Sequence, residues 1–405
     1  MLTLVGIFFA ATLVYTVKLG ETLRYPDEGE YLNLARNLAV TGHYTLNGST
    51  PTAFRPPVYP LFLAAGIKLG ASITALRIAN LSTLLACMGL IYLLLRKSSS
   101  TQAGIAVLLV MSYPVLIYTA STFYPQIPST ALFLGSLALL FSSEDPKLRC
   151  YFFAGAGMSL TMLMVPSFGF ALIFTAGFTA LCRLHKNKLA RTFLLLCGAS
   201  LVLAPWTARN ALVFGRFIPF STNSGINLLL GNSENTTPNS GTTTDISHYE
   251  RSAQSLPEVD ANDYYTKQAI IYIKAHPLIT LKRYAGKVIN YFNFQNRMII
   301  QTEQSQFRMF LMLFSYGLLL GLAILRLAMT YRHPLTLLEK YITWLYLLSV
   351  PVSAIFFTRI RFRLPMDVLL TILSASAVVI IINYVNSHTR ITKKRGSHLF
   401  CRNSS

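Results

Sequence analysis

The chain alternates long apolar runs with short polar loops. A run of roughly 20 apolar residues is long enough to cross a bilayer as a helix, and such runs recur along the whole sequence. They predict ten membrane-spanning helices, at about 2–19, 73–95, 103–120, 127–141, 150–165, 168–181, 192–205, 307–325, 338–357 and 365–385. We therefore expect an all-α integral-membrane bundle of about ten transmembrane helices, with residues 1–405 forming a single membrane domain.

Two longer polar regions and a tail interrupt this pattern. In the first region, 20–72, apolar residues at helical spacing follow Tyr31, and the apolar stretch at 57–69 is too short to span. Both predict amphipathic helices lying on the membrane surface. The second region, 206–305, predicts an outer-face subdomain of loops and helices, including a basic amphipathic helix at 276–293. The basic tail covers 386–405.

Composition and charge fit this picture. The chain is 53% hydrophobic and 12% charged, well below the roughly 25% charged residues of soluble proteins. Its net charge of +20 does not require a nucleic-acid partner, because Lys and Arg concentrate in the cytoplasmic loops of membrane proteins. Lys and Arg residues lie in the stretches 96–97, 142–149, 183–191 and 326–333 and in the tail. Their positions predict cytoplasmic termini, with regions 20–72 and 206–305 outside.

Several kinds of site are absent from the sequence. There is no phosphate-binding P-loop, no dinucleotide-binding fingerprint and no HExxH or CxxC metal motif. None of the five cysteines lies in the two outer regions, so no disulfide framework is expected. His43 and His248 are isolated outer histidines. The predicted chemistry requires no cofactor, and a divalent metal is left open but unsupported.

The candidate chemistry lies in outer loops. Asp27 and Glu28 are adjacent and follow the first apolar run, and Arg55 lies in the same region. Arg359, Arg361 and Arg363 break the rule that basic loops are cytoplasmic. These three arginines are explained either by snorkelling to lipid phosphates or by a phosphate-binding clamp.

An acid near outer arginines suits one kind of sugar transfer. When the donor is a sugar on a lipid phosphate, the departing phosphate is already a stable anion and needs no protein acid. One carboxylate is then enough, as a general base for an acceptor hydroxyl, whereas glycoside hydrolysis uses two carboxyl groups. Arginines would stabilise the charge that grows on the phosphate. A single displacement of this kind inverts the anomeric centre.

Motifs along nearly the whole chain resemble bacterial members of glycosyltransferase family 39, which have the GT-C fold and are related to protein O-mannosyltransferases. The motifs are Asp27-Glu28, Arg-Pro-Pro-x-Tyr-Pro from Arg55, Pro-Trp-x-x-Arg-Asn from Pro205, Phe-Gly-Arg-Phe, Ser-Thr-Asn-Ser-Gly-x-Asn from Ser221, and Arg-Phe-Arg-Leu-Pro from Arg361. The resemblance implies a donor linked to polyprenyl phosphate, used on the outer face of the bacterial inner membrane. The resemblance does not identify the acceptor, which is a lipid, a glycan or a protein.

The resemblance also implies roles for residues. Asp27 would be the base, Glu28 its acidic neighbour and Arg55 a contact to the donor phosphate. In the aminoarabinose transferases of this family, the acid before that basic position helps to bind zinc, and here the position holds Phe54, which puts such a zinc in doubt. The motifs supply five further candidates for substrate binding: Tyr59, Trp206, Arg209, Asn210 and Asn223.

Other interpretations stay open at this stage. Acids near a helix N-terminus also act as caps, which is the structural alternative for Glu28 and Glu30. A polymerase or ligase of lipid-linked glycans would also use polyprenyl carriers. A transporter would require charged residues within the spans and repeated halves. The glycosyltransferase interpretation makes one geometric demand: Asp27, Arg55 and an arginine from the 359–363 cluster must meet at the same rim of the bilayer.

Overall fold

The fold was obtained as a computed structural model that describes residues 1–181, 187–294 and 306–400, with side chains described as far as Ser387. Parts of three predicted segments therefore lie outside the described residues. They are 182–186 of the basic loop at 183–191 (with Cys182), 295–305 of the outer region, and 401–405 at the end of the tail (with Cys401). The basic side chains of the tail beyond Ser387 also lie outside.

The described chain is helical and contains no β-strand. Its α-helices are α1 (Leu2–Leu19), α2 (Pro26–Thr41), α3 (Val58–Lys68), α4 (Ile73–Leu95), α5 (Ser100–Met111), α6 (Pro114–Ala120), α7 (Gln126–Phe141), α8 (Leu148–Met162), α9 (Gly169–Leu181), α10 (Lys188–Phe214), α11 (Ser224–Gly231), α12 (Ser247–Ala253), α13 (Glu258–Ala275), α14 (Pro277–Tyr291), α15 (Gln306–Ala328), α16 (Leu337–Ile355) and α17 (Ile360–Phe400). The predicted all-α fold is confirmed.

Each of the ten predicted spans coincides with a helix or a helix pair. Five described helices, α1, α4, α10, α15 and α17, are by themselves long and apolar enough to cross a membrane. The pair α5 and α6 would make a sixth, bent by 67° at the break. The remaining predicted spans correspond to the shorter helices α7, α8, α9 and α16. The protein is a multi-pass membrane protein.

Two predicted spans differ from the structure at prolines. The predicted span at 103–120 is broken before Pro114, where Tyr113 is extended (φ −109°, ψ 90°), because proline disfavours the helical conformation of the residue before it. The predicted span at 192–205 was wrong in ending at Pro205. The helix α10 continues through Pro205 and ends at Phe214, with Gly215 as the C-cap residue at a φ of +66°. The Pro-Trp-x-x-Arg-Asn motif is therefore helical.

Helices α8 and α10 approach each other closely through a reciprocal pair of glycines. A Cβ atom on Gly155 would lie 1.8 Å from the carbonyl oxygen of Leu195, and one on Gly198 would lie 1.9 Å from that of Phe152. Neither backbone oxygen can move without shifting a helix. Small residues that let helix backbones approach closely are typical of membrane bundles.

We predict that Gly198→Ala destabilises the bundle. The added methyl group would overlap the Phe152 carbonyl oxygen, and overpacking of this kind costs about 1–3 kcal/mol. Gly177→Ala in α9 is the matched control, because nothing lies within 4 Å of a Cβ at that position. Thermal unfolding of both purified variants in detergent checks this, and an unchanged midpoint for Gly198→Ala would contradict the close approach.

Candidate active site

The two adjacent acids lie in the first turn of α2 and point in different directions. Tyr25 is the extended N-cap residue, and Pro26 occupies the first helical position, where its missing N–H costs nothing. Successive helical residues are rotated by about 100°. Asp27 and Glu28 therefore face different surroundings, whereas Asp27 and Glu30, three residues apart, share one face of α2.

Glu28 faces the protein interior. Its side chain is fully buried, and its Oε2 atom lies 3.0 Å from Nη1 of Arg77, which is also fully buried. The backbone N–H groups of Phe123 and Arg24 donate to the same carboxylate at 3.1 Å and 2.9 Å. A charged pair taken out of water needs such additional hydrogen bonds. This geometry gives Glu28 a positioning role for the start of α2.

Arg77 extends this anchor to two neighbouring segments. Its guanidinium donates to the carbonyl oxygens of Ser121 and Thr22, each at 2.9 Å. One turn along α4, the buried Asn80 side chain donates to the carbonyl oxygens of Ala120 and Thr122, each at 2.8 Å. Helix α4 thus fixes both the chain before α2 and the 120–124 turn.

Asp27 faces the outside and bridges two arginines from distant parts of the chain. Its Oδ1 atom accepts from Nη2 of Arg55 at 2.8 Å, and its Oδ2 atom lies 2.7 Å from Nη1 of Arg361. The Asp27 side chain is 22% exposed. Burial opposes its ionisation, but the positive charges of Arg361 and Arg55 more than offset burial and hold the pKa of the carboxyl below its ordinary value.

Arg55 is shared between two carboxylates. Besides Asp27, it donates from Nε to Oε2 of Glu30 at 2.8 Å, and its guanidinium lies over the Tyr31 ring with 5.2 Å to the centroid. Burial would lower the pKa of Arg55, but the neighbouring Tyr31, Asp27 and Glu30 raise it above its ordinary value. Arg55 is therefore a permanently charged group held at the face of α2.

The loop before Arg55 is held by the outer region of the chain. Glu258, at the start of α13, accepts from the Thr52 and Thr222 hydroxyls, each at 2.5 Å, and from the Ala53 N–H at 2.8 Å. Arg209 on α10 donates to the Thr52 carbonyl oxygen at 2.9 Å. Segments from 209 to 258 thus set the position of Arg55.

Of the three arginines near position 360, only Arg361 meets Asp27. Its guanidinium also lies over the ring of the buried Tyr124, 4.8 Å from the centroid. Arg359 lies before α17 and donates to the Ser240 carbonyl oxygen and the Thr242 hydroxyl, each at 2.9 Å. Burial and the neighbouring Arg361 lower the pKa of Arg359 to about 10.

Arg363 lies inside the bundle. It is 1% exposed, donates from Nε to Oδ2 of Asp367 at 3.0 Å, and also donates to the backbone oxygens of Tyr291 and Asn293. The Asp367 carboxylate accepts from the Tyr113 hydroxyl at 2.8 Å. The structure therefore does not bring together the three-arginine clamp that the sequence suggests, and Arg361 alone occupies that place.

Most of the five further candidates for substrate binding form hydrogen bonds with neighbouring segments and not with Asp27. Tyr59 is fully buried and donates to Oδ1 of Asn80 at 3.2 Å. Trp206 donates to the Phe220 carbonyl oxygen at 2.7 Å. Asn210, fully buried, donates to the Ile218 carbonyl oxygen at 2.9 Å.

Arg209 is half-buried over the Trp206 ring, 5.1 Å from its centroid. Asn223 is the half-buried N-cap residue of α11 and accepts from the Ser221 hydroxyl at 2.9 Å. None of the five contacts Asp27 directly in the described hydrogen bonds.

Sequence reasoning missed Arg77, Tyr124 and Glu258, and assigned Glu30 only a cap. The sequence could have indicated Arg77, since a charged residue inside an apolar run is seldom without a partner. Tyr124 and Glu258 carried none, because their importance depends on contacts over long separations in sequence. Within the described residues, no group of three or more His, Cys, Asp and Glu side chains could hold a metal ion.

Fold and site define a class: a helical multi-pass membrane protein with a carboxylate held between two guanidinium groups. Residues 54–208 match the family model described as dolichyl-phosphate-mannose-protein mannosyltransferase. This match confirms, over that part of the chain, the resemblance to glycosyltransferase family 39. The comparison with curated proteins finds no significant match.

Two solved structures are similar to the chain. Both are of ArnT from Cupriavidus metallidurans, at 16% sequence identity. The structure bound to undecaprenyl phosphate has a TM-score of 0.47 and covers 93% of this chain and 78% of its own. For the apo structure, the TM-score is 0.44 and the coverage is 92% and 77%.

We predict that Glu28→Gln destabilises the protein far more than Glu30→Gln. The first change leaves the fully buried Arg77 guanidinium without a carboxylate, and breaking a buried pair costs about 3–5 kcal/mol. Glu30 is 33% exposed, and losing a partly exposed ion pair costs about 1 kcal/mol or less. Thermal unfolding in detergent compares the two, and equal midpoints would contradict the anchoring role of Glu28.

Proposed function

We propose that this protein is a membrane glycosyltransferase that moves a sugar from a polyprenyl-phosphate-linked donor to an acceptor hydroxyl, with inversion. Asp27 is the general base, and Arg55 and Arg361 bind the donor phosphate. The reaction takes place on the extracytoplasmic face of a bacterial inner membrane, with both termini cytoplasmic. The acceptor is a lipid, glycan or protein that carries a free hydroxyl.

The family match supports the donor class. Its description names dolichyl-phosphate-mannose, which is a sugar linked to a polyprenyl phosphate, and the matched residues 54–208 begin beside Arg55. Asp27 and Arg361 lie outside the matched range. Their proposed roles therefore rest on the geometry of this chain and on the resemblance of its motifs.

The observation that carries the proposal is the double contact of Asp27, with one arginine on each carboxylate oxygen. Guanidinium groups suit phosphate oxygens as well as carboxylates. In the proposed reaction, both arginines turn towards the donor phosphate, and Asp27 is left free to accept a proton. The Tyr124 ring beside Arg361 and Glu30 beside Arg55 keep the two guanidinium groups near the site during this exchange.

The sugar is then transferred in a single displacement step. The acceptor oxygen forms a bond to the anomeric carbon while the bond from that carbon to the phosphate oxygen breaks. The acceptor proton passes to Asp27, and the bonding electrons leave with polyprenyl phosphate, whose added charge lies against Arg55 and Arg361. Release of the arginines from Asp27 raises the pKa of the carboxyl, so the base becomes stronger when the donor is bound.

The location of the site is supported by the loop charges. The short loops at 96–97 and 326–333 are basic and are expected to be cytoplasmic. Asp27 follows α1 and precedes α4, and α4 ends at the 96–97 loop. The Asp27 site lies near the other end of α4, and the loop charges support the extracytoplasmic side that we propose for it.

We expect Asp27→Asn to abolish transfer while the protein still folds. Removing a general base costs about 100- to 10,000-fold in rate, and Asn retains the size of the side chain. The assay incubates purified protein with a panel of polyprenyl-phosphate sugars and follows the release of polyprenyl phosphate.

Arg216→Gln is the control for this experiment, because Arg216 pairs with Asp260 and Asp263 at the exposed surface. Wild-type turnover by Asp27→Asn would overturn the assignment of the base. Addition of a long glycan instead of a single sugar would identify a polymerase or ligase, and absence of release with every donor would reject the proposal.

We also predict that Arg361→Gln shifts the acidic limb of the pH–rate profile to higher pH. The positive charge of Arg361 lowers the pKa of Asp27 in the donor-free protein against the opposing effect of burial. Without Arg361, this pKa rises, and more of the base is protonated at a given pH. Measurement of kcat/KM from pH 4 to 8 checks the direction, and a shift to lower pH would be inconsistent with a catalytic Asp27 carboxylate.

A further inference from the structure

A groove lies at the other membrane surface, far from Asp27. It has a volume of about 410 Å³ and is lined by Ala328, Met329, Tyr331, Arg332, His333, Ile380, Ile381 and Tyr384. Tyr384 follows Arg361 by 23 residues on the same helix, α17, which corresponds to about 35 Å at the helical rise. This separation is comparable to the thickness of a bilayer.

The groove combines an apolar wall with a basic rim. Ile381 is 37% exposed and Tyr384 is 60% exposed, and both lie on the surface of α17. The exposed apolar surface of a membrane-spanning helix is expected to face lipid. Arg332 and His333 are exposed at the rim. The ion pairs within the described residues leave these two side chains without a carboxylate partner.

The backbone that presents the two basic side chains is rigidly held. The buried Arg326 at the end of α15 pairs with the buried Glu339 of α16 at 2.8 Å. The same guanidinium donates to the carbonyl oxygens of His333 and Pro334 at 2.9 Å and 3.2 Å. Glu339 also completes a capping box with Thr336. The rim is therefore fixed before any ligand arrives.

We propose that this groove binds an anionic phospholipid, with its phosphate at Arg332 and His333 and an acyl chain along Ile381 and Tyr384. Basic pockets between transmembrane helices at the membrane surface suit anionic headgroups. The apolar wall continues into the lipid-facing surface, so the occupant must carry a hydrocarbon chain as well as a negative charge. Tyr331, 98% exposed, is placed at the interface, where aromatic rings are favoured.

The test is a lipid titration of the full-length protein in detergent, followed by native mass spectrometry. Phosphatidylglycerol is compared with phosphatidylcholine of the same acyl chains. We expect tighter binding of phosphatidylglycerol, and a Kd at least about fivefold higher in Arg332→Gln/His333→Gln, since an arginine near an anionic headgroup contributes about fivefold and the His333 ring is lost as a hydrogen-bond donor to the phosphate. Both side chains are exposed, so these changes leave the fold intact.

Two further variants separate a specific site from general attraction. Arg96→Gln/Lys340→Gln removes two exposed basic side chains elsewhere and is expected to leave the Kd within about twofold. Ile381→Asn alters only the apolar wall and is expected to weaken phosphatidylglycerol binding.

Equal binding of the two lipids, or equal loss in both double variants, would overturn the proposal. If glycerol phosphate binds as tightly as the lipid, or Ile381→Asn has no effect, the site recognises a free phosphate and the lipid assignment fails. None of these readouts depends on sugar transfer, so failure here is distinct from failure of the proposed function.

Discussion

The structure depends on the pairing of buried guanidinium groups with carboxylates, because a charge taken out of water is costly unless an opposite charge and hydrogen bonds compensate it. Within the described residues, four arginines are buried near helix ends, and each contacts a carboxylate: Arg77 with Glu28, Arg191 with Asp145, Arg326 with Glu339, and Arg363 with Asp367. Removing the carboxylate would leave an uncompensated charge in a low-dielectric interior. These pairs therefore limit how the chain can be arranged at both membrane surfaces.

The two ion pairs of Asp27 differ from these pairs in that both partners are partly exposed. Asp27, Arg55 and Arg361 are each about one-fifth exposed, so their charges are reachable from outside. Glu28, one residue away, is fully buried and fixes the helix that carries Asp27. The two adjacent acids therefore differ in their surroundings: Glu28 holds the backbone, and Asp27 is partly exposed, as its proposed role requires. The rotation of about 100° per helical residue is what separates them.

Much of the fold could be predicted because membrane helices are encoded locally. An apolar run bounded by polar loops is readable from its own residues, and α1 and α4 have the bounds that the sequence predicts. The errors occurred at prolines, where two outcomes compete. Before Pro114 the helix breaks, whereas at Pro205 it continues, with the Thr207 hydroxyl donating to the Leu203 carbonyl oxygen one turn back.

The site could be predicted only in part. Asp27 and Arg55 were selected correctly as neighbours because both lie in the first outer region, but the three arginines near position 360 could not be distinguished by sequence. The directions in which these arginine side chains point depend on where α17 begins. Because the helix begins at Ile360, Arg361 and Arg363 are rotated by about 200° from one another. One therefore faces Asp27, and the other faces the interior.

The described part of region 206–305 has a role that its composition did not indicate. Its polar sequence is typical of loops, yet Glu258 and Thr222 hold the backbone immediately before Arg55. Asn210 and Trp206, in turn, bind the carbonyl oxygens of Ile218 and Phe220, which precede Thr222. A continuous series of hydrogen bonds thus runs from the end of α10 to Arg55. In the proposed reaction, Arg55 exchanges between a carboxylate and a ligand. It then needs a fixed backbone, because otherwise the loop would move with the side chain and the geometry of the site would be lost.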